Sequence, residues 1–79
     1  GATSLTTSSQ NLLYTSLLGS PGDTVTISDA AGNEVASYQS PVAFSAIAYS
    51  SDQLTTGEVY YLSTTSGNYG QATATQGQE

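Results

Sequence analysis

The chain has no lysine, arginine or histidine, and no cysteine, methionine or tryptophan, among its 79 residues. Each absence excludes a class of chemistry. Without a side-chain cation nothing neutralises a phosphate backbone, which argues against nucleic acid as a partner. Six acids and no bases give a formal charge of −6, so an anionic membrane surface repels the chain. No imidazole or thiol is present to act as a general base, to form a Ser or Cys nucleophile pair, or to hold zinc. Catalytic residues, metal ligands and cofactors are therefore not expected, and the chain reads as a non-enzyme. No disulfide is possible. No run of apolar residues has the length of a signal peptide or a membrane span.

Large aliphatic and aromatic core formers are also scarce. Leu, Val, Ile and Phe supply 14 residues, against 25 from Ser and Thr. A fraction that low is one half of the signature of disorder, but the other half, high charge density, is missing at 8% charged residues. Thr, Ser and Tyr with few charges make a strand-forming composition. The length admits one domain, and a domain this small buries only about 60% of its unfolded surface.

Along the chain the apolar residues are ordered rather than scattered. Residues 1–10 are polar except for Leu5 and read as an extended N-terminal arm, followed by a single domain over 11–79. Six strands are expected: 11–18, 23–28, 34–38, 42–50, 58–64 and 69–75. Turn signals separate them every 8 to 12 residues, which predicts a small antiparallel, immunoglobulin-like β-sandwich of six to seven short strands. Val25 and Ile27 alternate with Thr24, Thr26 and Ser28. Pro21 and Gly22 suit a reverse turn. Asp29-Ala-Ala-Gly32-Asn33 predicts a type I turn closed by a glycine in the left-handed region, with Asp29 as its cap. A calcium reading of Asp29, Asn33 and Glu34 is weaker, because these residues lack the carboxylate density of a calcium loop.

Leu54, Gly57 and Tyr60 have the spacing of a tyrosine corner, in which a Tyr hydroxyl bonds back to the backbone of the preceding crossover. Leu-x-x-Gly-x-x-Tyr resembles fibronectin type III domains, and Thr-Ile-Ser-Asp-Ala-Ala-Gly-Asn resembles hairpins of bacterial immunoglobulin-like domains. A wider succession comprises Asn11-Leu-Leu-Tyr-Thr-Ser, Gly22-Asp-Thr-Val-Thr-Ile-Ser-Asp-Ala-Ala-Gly-Asn, Phe44-Ser-Ala-Ile-Ala-Tyr-Ser-Ser and Ala72-Thr-Ala-Thr-Gln-Gly. It resembles the C-terminal β-module of bacterial secreted carbohydrate-binding-domain proteins. In that family the module follows a larger β-helical region that carries most of the polysaccharide binding. That region is not among these residues, so the resemblance implies an accessory module.

Two functional expectations follow. Strands 42–50 and 58–64 carry large apolar side chains on both faces, so Ile47 with Tyr49, or Tyr60 with Leu62, is expected to face partly outward, as at an interface. With Leu5 as an anchor on the arm, Leu5, Ile47, Tyr49 and Leu62 become candidates for self-association by strand addition. The partners are then other copies of the chain, in a filament outside the cell or on its surface, where the lack of tryptic sites and of an initiator Met also points. The second expectation is polysaccharide binding by stacking on Tyr38, Tyr49, Tyr61 and Tyr69. Against it stands the ordinary role of Tyr as strand filler.

Overall fold

The computed structural model of the chain describes residues 11–76. Seven strands run in order: β1 (Asn11–Gly19), β2 (Thr24–Ser28), β3 (Glu34–Gln39), β4 (Phe44–Ser51), β5 (Val59–Thr64), β6 (Tyr69–Thr73) and β7 (Thr75–Gln76). They form two antiparallel sheets, β4-β1-β7 and β3-β2-β5-β6. The expected all-β sandwich is what the chain forms. The chain changes sheet between β1 and β2, β3 and β4, β4 and β5, and β6 and β7. The expected arm and its Leu5 lie outside the described residues.

Alternation explains which face each strand buries. On β1, Leu13 and Leu17 are buried while Leu12, Tyr14 and Leu18 are exposed. On β2, Val25 and Ile27 point inward, with Thr24, Thr26 and Ser28 on the other side. Leu13, Ile27, Leu62 and Val25 are the largest fully buried side chains, each contributing about 2 kcal/mol through removal from water. Ile47, Leu54 and Tyr60 complete the centre of the same cluster.

The connections follow from local chemistry. Ser20-Pro21-Gly22-Asp23 closes with the Asp23 N–H donating to Ser20 O at 3.0 Å, and Gly22 sits at φ +89°, as a type II turn requires of its third residue. The β2–β3 and β5–β6 hairpins repeat one design. The Asp29 N–H donates to Asn33 O, the Gly32 N–H donates to Asp29 O, and Gly32 has φ +90°. Thr64, Gly67 and Asn68 occupy the equivalent places in the second hairpin. Each hairpin is capped by its first side chain: Asp29 Oδ1 accepts from Asn33 N, and Thr64 Oγ1 accepts from Asn68 N.

One strand lies beyond the expected six. Thr75–Gln76 pairs with Asn11 and Leu12 at the start of β1. The interior β4–β1 register is regular from Asn11↔Ser51 to Ser16↔Ala46 and shifts only before Gly19↔Phe44.

Candidate functional site

The tyrosine corner forms as its spacing requires. The Thr55 N–H donates to the Tyr60 hydroxyl oxygen at 2.8 Å, and Leu54 packs in the core. Gly57 takes φ +92°, and its N–H donates to Ala74 O. A hydrogen bond of this kind contributes about 1 kcal/mol. The corner is extended by Asn11, whose Nδ2 donates to Leu54 O at 2.6 Å. This ties the first residue of β1 to the β4–β5 crossover, a contact 43 residues apart that no local pattern announces.

The expectation of apolar side chains facing outward on β4 and β5 is not met where it was placed. Ile47 is 2% exposed and Leu62 1%, so both belong to the core and neither can act as an exposed anchor. Tyr60 is also buried, because the corner directs its hydroxyl inward. Tyr49 faces the interior opposite Leu13 and packs half-buried against the core. Beyond Phe44, which packs partly buried against the core, the alternate positions of β4 are Ala46, Ala48 and Ser50, opposite Ser16, Tyr14 and Leu12 of β1. Exposed apolar side chains sit instead on β1, with Tyr14 63% and Leu18 64% exposed, and elsewhere at Val42, Tyr61 and Tyr69.

The four candidate stacking tyrosines do not form one platform. Cross-strand partners share a face. Tyr38 pairs with Val25 and Tyr49 with Leu13, which places both on inner faces. Tyr61 pairs with Ser28 and Gln71, and Tyr69 pairs with Ser63, which places these two together on the outer face of the four-stranded sheet. They are diagonal neighbours and flank a cleft of about 350 Å³ lined also by Gln71 and Gly70.

Among the described residues, no group of three or more potential metal ligands comes together. Asp29 spends its carboxylate on the hairpin, accepting from Ala31 N and Asn33 N at 3.0 and 2.9 Å. Its pKa is lowered, first by the Asn33 N–H.

No protein-family model, no curated protein and no solved structure matches the chain.

The sheet edges supply the remaining site. Proteins blunt exposed edges with short strands, charges, prolines, bulges or covering elements. Strand β7 is two residues long. Strand β3 begins at Glu34, and its register with β2 shifts beside that residue. Strand β6 is held against β1: Thr15 Oγ1 donates to Gln71 O at 3.2 Å and Asn68 Nδ2 donates to Leu18 O at 2.8 Å. The approach at Gly70 is close but not tight, since a methyl there would meet Leu17 Cδ1 and Ser16 O at 3.5 and 3.6 Å, ordinary contact distances. Strand β4 has only one of these devices, a register shift with β1 beside its first residue, Phe44. Its eight residues, Phe-Ser-Ala-Ile-Ala-Tyr-Ser-Ser, contain no charge and no proline.

The free groups on β4 can be named. Leu12 O faces β7, accepting from Thr75 Oγ1, and Ser16 O faces Gly70 of β6. Backbone groups alternate direction along a strand, so Leu13 and Thr15 face β4 and bond Tyr49 and Ile47 across the register. Ala46, Ala48 and Ser50 consequently turn their N–H and C=O groups away from β1. No described residue lies on that side to receive them.

Proposed function

We propose that the chain is a non-catalytic structural subunit that self-associates by strand addition into an extracellular or cell-surface filament. The observation that carries this reading is the β4 edge. It is the longest exposed edge among the described residues, and from Ala46 to Ser51 it carries no charge, no proline and no register shift. Unprotected edges template pairing with another chain, and the backbone supplies the affinity. An edge-to-arm contact is heterologous, and where its rotation does not close on itself, repetition gives open filaments. Sedimentation and electron microscopy of the 79-residue chain test it. The expected result is concentration-dependent growth into filaments, and a chain that stays monomeric at every concentration overturns the reading.

A second reading, a small carbohydrate-binding accessory module, is favoured by one observation, the juxtaposition of Tyr61, Gln71 and Tyr69. Two exposed phenol rings beside an amide suit a pyranose, which stacks on one and hydrogen-bonds to the other. Affinity electrophoresis on neutral and acidic polysaccharides is expected to show retardation that Tyr69→Ala removes. Migration unchanged on every polymer rules it out.

A further inference from the structure

Sheet β4-β1-β7 is one strand short of sheet β3-β2-β5-β6, and the deficit has a place. The seam between β1 and β6, closed by Thr15, Asn68 and Gly70, fixes the flank at which the two sheets meet. The missing strand therefore belongs at the opposite flank, beside β4 and above β3. Burial records the same vacancy. Tyr38 and Ala36 of β3 share the inner face of Val25 and Ile27 on β2. Val25 is 0% exposed, whereas its neighbour Tyr38 is 45% exposed. An inner face that loses its cover from one strand to the next lacks a strand above it.

From this we infer that the occupant of the β4 edge is the segment 2–9 of a second copy of the chain, added antiparallel, with Leu5 turned toward β3. The inference rests on the self-association reading and names its partner and polarity. Three properties of the segment fit. It is uncharged, so it brings no acid toward a chain that already carries a charge of −6. Thr3, Thr6 and Thr7 are strand formers. Its one large apolar side chain, Leu5, matches an inner face that has room above Tyr38 and beside the half-buried Tyr49.

The source of the segment follows from chain direction. Each copy's own segment ends at Asn11, which is paired with Ser51 at the end of β4. Within one copy it can lie beside β4 only parallel to it, after passing over that end. Antiparallel pairing in the same copy would require a return along all of β4 before β1 begins, more than the ten preceding residues can span. A second copy has no such constraint, and antiparallel pairs are the more stable. Placing Leu5 opposite Tyr49 sets Ser4, Thr6 and Ser8 opposite Ser50, Ala48 and Ala46, the three residues whose backbone groups are free. That register yields six new backbone hydrogen bonds, two for each pair.

Two variants of the full 79-residue chain test this. The chain has no cysteine of its own, so a T6C/A48C chain reports this contact alone, and its two positions fall within disulfide reach in the proposed register. Oxidation is expected to give a ladder of covalent oligomers on a non-reducing gel. A bridge that closes within one chain, leaving only monomer, overturns the assignment to a second copy. In Ala48→Pro the lost N–H is one that faces away from β1, so the domain folds with its melting temperature little changed. Its self-association is expected to weaken about tenfold or more, because an added strand loses that bond and meets the proline ring. If Ala48→Pro assembles like the parent, β4 is not the acceptor, and self-association stands on some other surface. If the parent chain does not assemble at all, the functional reading fails with it.

Discussion

The Asp23 carboxylate accepts hydrogen bonds from the Ser20 N–H and the Ser66 hydroxyl. Its backbone meanwhile binds the third connection, since the Ser40 N–H donates to Asp23 O at 2.9 Å. One buried acid thus joins the β1–β2 turn, the β3–β4 connection and the β5–β6 turn. Its pKa lies below the usual carboxylate value, lowered first by the Ser20 N–H and then by the Ser66 hydroxyl, with burial opposing them. Asp29 is lowered for the same kind of reason in the β2–β3 hairpin. A carboxyl whose native pKa is depressed contributes stability that is fully present above its unfolded pKa. That contribution is lost as the pH falls through the native value. The melting temperature is therefore expected to hold between pH 7 and about 5, and to fall below about pH 4. Asp23→Asn is expected to melt lower than the parent at pH 7 and to show a shallower acid fall, read by circular dichroism from pH 7 to 2. An unchanged acid slope in this variant would remove Asp23 from the account.

At the scale of strands and turns, identical substitutions separate two kinds of glycine. Gly32 holds φ +90° in open space, so Gly32→Ala strains the backbone and is expected to cost about 1 kcal/mol. Gly70 lies outside that region of φ, and a methyl there would find ordinary contacts with Leu17 and Thr15. Gly70→Ala is expected to stabilise by about 0.5 kcal/mol, through the unfolded chain's lost freedom and a better-filled seam. Urea denaturation of both variants gives the signs. The Gly32 turn was legible before the structure because Asp-x-x-Gly-Asn is a local instruction, and so were Val25 with Ile27 and the Leu54–Tyr60 corner. Strand β7 was not legible, since Thr75–Gln76 has no alternation and gains its partner from Asn11 and Leu12. Ile47 and Leu62 were misplaced for a related reason. Alternation assigns side chains to two faces but does not say which face is covered, and here the uncovered faces hold Ala46 and Ala48 on β4 and Tyr61 and Ser63 on β5. That β4 is an edge strand among the described residues depends on which strands pair across the fold, information that no local segment holds.

For the molecule as a whole, charge decides where two copies can meet. The described acids, Asp23, Asp29, Glu34, Asp52 and Glu58, all lie outside β1 and β4. The outer face those two strands share presents Leu12, Tyr14, Leu18, Ala46 and Ala48 with no charge among them. Copies carrying −6 each repel at long range, and no Lys or Arg is available to form a compensating ion pair. Association must therefore come from backbone pairing and apolar contact at charge-free surface such as this, working against a uniform repulsion. Screening shortens the reach of that repulsion from about 30 Å at 0.01 M salt to about 8 Å at 0.15 M. Self-association is accordingly expected to strengthen several-fold over that range, measured by sedimentation equilibrium at fixed pH. Binding to a cationic partner would show the opposite sign, because salt weakens attraction between unlike charges. Assembly that weakens as salt rises would mean that opposite charges drive it. A chain with no side-chain cations cannot supply those to itself.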